Sequence, residues 1–299
     1  MKYIILFTSL ILAVTTVTII AQESEPVASY KIGKATLYRI EDTASGFSAD
    51  VFPAVEKTTF DKYATDGRIP SSVSAFLLEF PPSSGFFVLF DAGMGTPNGN
   101  LIANIGQAMP DGYQPGKITT VMITHSHGDH IGGLLDGNAR RFPNATVVCS
   151  KPEYEHWSKQ NTAAFERIKK AYGDDFRTLL DFDESIEAKA YGSLLASITP
   201  LDAAGHTPGH AVFLIESEGE KLMVVGDLLH AAALQFPVPE ACARYDMDQA
   251  EAVKARRRIL DKAAEENIPI AGMHFPSSGI GFVKKNVNGG YDFTPVKEK

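Results

Sequence analysis

Three histidines and an aspartate fall within six positions in "THSHGDHIGG" (Thr124–Gly133). Such groups are costly to bury and bind metal readily, so the stretch is either a polar loop rich in histidine or part of a metal site completed elsewhere. The preceding "ITTVMITH" (Ile118–His125) is a short apolar, β-branched run and predicts a buried strand. Alternate side chains of an extended chain share a side, so His125 and His127 can reach one ion. Asp129 and His130 follow Gly128, where the chain turns and a helix begins, and so aim at a second ion nearby. Imidazole and carboxylate ligands suit zinc, and also iron, cobalt or manganese.

Two ions need more groups, and the chain supplies them where other strands end. "GHTPGH" offers His206 with His210 close behind, "VVGDLLH" offers Asp227, and "GMHFP" offers His274. His125, His127 and His206 would hold the first ion, and Asp129, His130 and His274 the second. Asp227 would bridge them. A carboxylate between ions about 3.5–4 Å apart is what a two-metal hydrolytic site needs, and Asp129 and Asp227 are the candidate catalytic carboxylates. Such a pair brings a water to hydroxide near neutral pH, so no serine or cysteine nucleophile is required. His210 reads as a local hydrogen-bonder and His156 as a surface helix residue. His230, one helical turn past Asp227, either faces the pocket or packs.

The elements around these residues repeat. "AFLLEF…FFVLFDAG" and "AVFLIE…KLMVVGDLL" are each an apolar strand, a turn and a second apolar strand ending in an aspartate, Asp91 and Asp227. Two halves built alike fit a two-fold sandwich of sheets with helices outside. "KATLYRI" and "NATVVCS" read as strands, and "IPIAGMH" as a last short strand. "IGGLLDG" reads as a helix start and Lys151–Leu180 as mostly helical. Asp248–Asn267 is a charged helix whose charges form a solvated face.

The chain has 299 residues and a net charge of −8, which argues against nucleic-acid binding. Lys2 precedes an apolar run, Ile4–Ile20, and Ala21, which reads as a secretory signal peptide over residues 1–21, cleaved near Ala21–Gln22. A retained anchor is the rival, because the run reaches the lower limit of a spanning helix. Cleavage predicts export to the periplasm or beyond, without stable membrane insertion. Residues 22–299 read as one domain, with 22–70 an N-terminal extension and first strands. Cys149 and Cys242 read as two small buried residues rather than a disulfide.

On these residues the sequence resembles the metallo-β-lactamase fold superfamily. Its five motifs occur in order: Asp91 in "FDAG", the "HSHGDH" run, His206, Asp227 and His274. The resemblance implies an α/β (α+β) fold, a four-layer αββα sandwich of two mixed β-sheets with outer helices. It implies two divalent transition-metal ions, first of all zinc. Asp91 would accept the N–H of a ligand histidine and fix its orientation. His127 stands where flavodiiron-type members carry glutamate, and Asp227 where familiar zinc β-lactamases lack the bridging aspartate. The short tract after His274 disfavours a glyoxalase II helical domain. "PSSVSAFLLE" (Pro70–Glu79), the run His130–Trp157 and "GDLLHAAALQFPVPE" (Gly226–Glu240) are similar to the methyl parathion hydrolase branch and its lactonase and arylesterase relatives.

The expected function is therefore an exported dinuclear hydrolase of a small carboxylic ester or lactone. Phosphotriester hydrolysis is the alternative, with β-lactam cleavage and metal binding without turnover behind it. His230 and Phe236 are candidates for the substrate pocket, with Phe47 and Tyr245 as further aromatic residues near the motifs. A homodimer is compatible with the sequence.

Overall fold

The computed structural model describes residues 27–81, 87–108, 115–190 and 193–297. The apolar start with its expected cleavage point lies outside the described residues. The first half begins with strands β1 (Val27–Ile32) and β2 (Ala35–Phe47), helix α1 (Lys57–Phe60), and strands β3 (Ile69–Glu79) and β4 (Phe87–Phe90). Helix α2 (Leu101–Ala108), β5 (Thr120–Met122) and α3 (Gly128–Ile131) follow. A small hairpin of β6 (Leu135–Asp136) and β7 (Ala139–Arg140) leads to β8 (Thr146–Ser150), α4 (Lys151–Gln160), α5 (Ala163–Tyr172) and β9 (Phe176–Leu180).

The second half contains β10 (Ile186–Ala190), β11 (Ser193–Asp202), β12 (Ala211–Ser217) and β13 (Glu220–Val224). Helices α6 (Ala232–Gln235) and α7 (Gln249–Glu266) precede β14 (Ile270–Ala271), β15 (Ile280–Lys285) and β16 (Tyr291–Pro295). The strands form two seven-stranded mixed sheets, ordered β1-β2-β3-β4-β5-β8-β9 and β10-β11-β12-β13-β14-β15-β16. The repeated hairpins sit at matching places. β3 and β12 pair antiparallel with β4 and β13, and these pair parallel with β5 and β14. An outer helix, α2 or α7, makes each parallel crossover.

Apolar runs that are buried on both faces build the four layers. Phe76, Leu78, Phe90 and Met122 of the first sheet meet Ile198, Phe213, Ile215 and Val224 of the second. The Phe90 and Phe213 rings lie 5.4 Å apart across this interface. Each such side chain contributes roughly 1.5–3 kcal/mol by leaving water. The alternate residues Ala75, Leu77 and Leu89 face outward against Leu101 and Ile105 of α2 and Phe165, Ile168 and Tyr172 of α5. Ala255, Ile259, Leu260 and Ala263 of α7 cover Val212, Met223 and Ile270 on the far side. These layers match the αββα expectation.

Several local expectations change. Phe176–Leu180 is strand β9, parallel to β8, so the helical stretch ends at Tyr172. The helix expected at "IGGLLDG" begins earlier, at Gly128, and the poor helix formers Gly132 and Gly133 end it. The charges of α7 are not all solvated: Arg256 is buried and donates to Leu228 O, Pro239 O and Asp246 Oδ2. Cys149 and Cys242 are both free and buried. Among the described residues no helix is long and apolar enough to cross a membrane.

At the end of the sandwich where β5 and β13 stop, two connections pack together. Val51, Phe52 and Phe60 after β2 meet Ala231, Leu234, Ala241 and Ala243 after β13. Phe47, packed on this cluster, lines the cavity beside the histidines.

Candidate metal centre

β5 delivers its chain end directly to the histidine motif. His127 is still extended (φ −70°, ψ 159°) and α3 starts at the next residue, which separates the aims of His127 and His130. From the other sheet, Asp227 follows β13 through Gly226, whose φ is +53°. A side chain at Gly226 would also collide with His210, because a Cβ there would lie 2.6 Å from Nε2. His206 precedes β12, and His274 follows β14.

The three nitrogens of the first set converge. His125 Nε2 lies 3.0 Å from His127 Nδ1, His127 Nδ1 lies 2.9 Å from His206 Nε2, and the third side is 3.2 Å. Tetrahedral coordination at about 2.05 Å places ligand nitrogens about 3.3 Å apart, close to these separations. Asp227 Oδ2 faces this set, 3.4 Å from His206 Nε2 and 3.7 Å from His125 Nε2. Asp227 Oδ1 faces the second set, 3.1 Å from both His130 Nε2 and His274 Nε2, and His274 Nε2 also lies 3.2 Å from Oδ2. Asp129 Oδ2 completes that set at 3.6 Å from His274 and 3.8 Å from His130. The structure thus brings together all seven residues expected as ligands, in the expected division.

The donor chemistry fits cations. His206 Nδ1–H donates to Asp246 Oδ1 at 2.9 Å. The Thr124 hydroxyl donates to Asp91 Oδ2 at 2.7 Å, which leaves it to accept from His125 Nδ1 at 3.2 Å. Both Nε2 atoms therefore carry lone pairs, which oppose one another across 3.2 Å until a cation lies between them. In the second set, His130 Nε2 and Asp227 Oδ1 are both buried and outside hydrogen-bonding geometry. His130 Nδ1–H donates to Asp91 Oδ2 at 2.6 Å, as expected for Asp91, and His274 Nδ1–H donates to Ser72 O at 2.7 Å. Partners of this kind fix tautomer and ring orientation.

Burial drives the pKa of His125 well below the ordinary imidazole value, and those of His127 and His206 to about 4. The first set is neutral and ready to coordinate. Burial would also depress His130 and His274, but the Asp227 carboxylate, aided by Asp129, outweighs it and raises both. Burial opposes ionisation of Asp227 in turn, and His130 and His274 hold its pKa well below the usual carboxylate range.

His210 hydrogen-bonds locally, as expected. Its Nδ1–H donates to Ala203 O, and its Nε2 accepts the Asp227 backbone N–H at 3.0 Å. His230 faces the pocket: its ring stacks on His274 at 5.4 Å, and Nε2 lies 3.2 Å from Asp227 Oδ2. Both of its ring nitrogens are buried without a hydrogen-bond partner. Phe47 and Tyr245 line the cavity of about 360 Å³ beside the histidines. Phe236 does not. Its ring stacks on Phe293 at 4.8 Å and packs against Phe275 in the outer core, because α6 turns it away from the site. His156 only packs against Trp157. A groove of about 480 Å³, lined by Thr43, Val73, Met94 and Asn98, adjoins the cavity through Phe47 and Asp129. The larger cavity of about 970 Å³ near Lys31 and Glu266 contains no histidine.

Two contributors lie outside the motifs. Asp246 holds His206, and burial is again outweighed: the His206 hydrogen bond, with His230 and Arg256, lowers its pKa to about 2. Ser72 acts on His274 through its backbone carbonyl, which any residue type could supply.

The chain belongs to the metallo-beta-lactamase superfamily, whose family model matches residues 68–269. Among curated relatives, it is 32% identical to the uncharacterized protein YobT of Bacillus subtilis over 192 residues, 55% of this chain and 75% of YobT. It is 25% identical to the N-acyl homoserine lactonase AttM of Agrobacterium fabrum over 178 residues, 58% of this chain and 64% of AttM. Among solved structures, the hydrolase AbOPH superimposes with a TM-score of 0.79 at 25% identity, covering 93% of this chain and all 100% of its own. AidC, a dizinc quorum-quenching lactonase solved with a product, gives 0.77 at 26% identity, covering 92% of this chain and 99% of its own.

Cation binding is predicted to release protons. The carboxylates around His130 and His274 raise their pKa and favour the protonated rings, and coordination by their Nε2 atoms removes those protons. Affinity therefore falls as pH falls. Calorimetric titration in buffers of different ionisation enthalpy is expected to show net proton release on cation binding that grows as pH falls. Zero release would contradict the assignment.

Proposed function

We propose that this protein is a dinuclear metal-dependent hydrolase of carboxylic esters or lactones. The observation that carries the reading is the Asp227 carboxylate, with Oδ2 toward His125 and His206, Oδ1 toward His130, and His274 Nε2 within 3.2 Å of both oxygens. His125, His127 and His206 would hold one ion, Asp129, His130 and His274 the other, with Asp227 shared. Two divalent cations there, zinc first among them, supply Lewis acidity and an acidified water.

The chain's own residues then bind and orient. Phe47 and Tyr245 give the cavity apolar walls, and His230 lines it with its Nε2 held 3.2 Å from Asp227 Oδ2. The likeness to AttM and AidC, both named as lactonases, supports a lactone among the substrates. The groove beside the cavity leaves room for the three substituents of a phosphotriester, which is the competing class. Export is the companion proposal, supported by the apolar run Ile4–Ile20. A mature chain whose mass begins at Gln22 would support it, and one retaining Met1 would count against it.

A panel of lactones, aryl esters, phosphotriesters and cephalosporins separates the classes. The zinc-loaded enzyme is expected to turn over a lactone or aryl ester best, and chelation to abolish that activity. Asp227→Ala is expected to lower kcat by at least about a hundredfold while the fold is kept. Preferred turnover of phosphotriesters would replace the ester reading. Activity that survives chelation would end the metal-dependent one.

A further inference from the structure

Glu153 lies in the first turn of α4 and is completely buried. An isolated carboxylate in such a place is expensive, and its four hydrogen bonds show what it is for. Glu153 Oε1 accepts from Ser126 N at 2.7 Å and from the Trp157 indole N–H at 2.6 Å. Oε2 accepts from the Thr207 hydroxyl at 2.7 Å and from Gly209 N at 3.1 Å. Ser126 stands between His125 and His127, and Thr207 directly follows His206.

One carboxylate thus fastens both chain segments that carry the first histidine set. Only Trp157, one turn along α4, belongs to its own helix, and that indole packs edge-on against the His127 ring at 5.7 Å. The Ser150 hydroxyl, at the start of α4, adds a bond to Gly209 O at 2.6 Å. The approach is close enough to require glycine, since a Cβ on Gly209 would lie 2.1 Å from Glu153 N. Asp129 and His130, past the turn at Gly128, and the segment carrying His274 receive none of these four bonds directly.

From this asymmetry we infer that Glu153 is a positioning residue for one of the two cations, the one held by His125, His127 and His206. It clamps the two segments so that their three nitrogens stay within coordinating distance. The inference rests on the reading of the cluster as a two-cation site, and it holds for any substrate of that site. A merely structural Glu153 would support α4 and leave cation affinity unchanged.

Glu153→Gln keeps the size but sets an amide N–H against two of the four donors. Thr207→Val keeps the shape and removes one donor. Full-length apoprotein of each is titrated with zinc against a chelating dye, and cadmium-113 resonances report the two donor sets separately. Wild type is expected to bind two ions, while each variant loses about tenfold or more in affinity at the three-histidine set. The other set is expected to change by less than about threefold, within the spread of ordinary mutational effects. Equal weakening of both sets, or a lowered apoprotein Tm with both affinities unchanged, would overturn the inference. Should Glu153→Gln fail to fold, Thr207→Val decides by the same criterion. A wild type that binds no zinc would overturn the two-cation reading itself.

Discussion

The burial of one negative charge organises the site. Asp227 is 3% exposed and lies where the two sheets end, surrounded by imidazoles. An unpaired carboxylate there would cost several kcal/mol, so its surroundings must supply positive charge. His130 and His274, whose pKa this carboxylate raises, face it in the cation-free protein, and two divalent cations would supply positive charge in their place. Local structure is subordinate to this need. Gly226 makes the sharp entry to Asp227, and His210, held neutral with a pKa of about 3 by burial, spends its lone pair on the Asp227 backbone N–H.

The two halves use one device for different ends. Asp91 and Asp227 follow equivalent strands, β4 and β13, each beside a left-handed residue: Asp91 itself at φ +60° and Gly226 at +53°. Asp227 turns its carboxylate into the cluster. Asp91 turns its own behind the cluster, onto Thr124 and His130, where burial raises its pKa against the pull of those partners. The two similar halves thus place one carboxylate inside the histidine cluster and one behind it, where it orients His130.

Legibility in the sequence followed side-chain chemistry. The seven residues that cluster could be read because few other roles bring histidines and aspartates to strand ends, and the repeated hairpins gave the layers. Asp246 could not, because nothing in "ARYDMD" separates it from ordinary loop aspartates near the Asp248 helix cap. Glu153 was hidden for the opposite reason: in "KPEYEHW" it reads as a routine first-turn glutamate. Phe236 was misplaced because aromatic character near a motif does not tell an inward ring from one in the core. β9 was missed because it directly follows two charged helices, and its burial depends on β8, a partner set by topology rather than by local pattern.

The central claim is that Asp227 stands between two cations. Anomalous diffraction at the zinc absorption edge, from crystals of the zinc-loaded protein, tests it most directly. The account predicts two peaks per chain, about 3.5–4 Å apart, one on each side of the Asp227 carboxylate. A single peak, or two peaks with Asp227 touching only one, would contradict it.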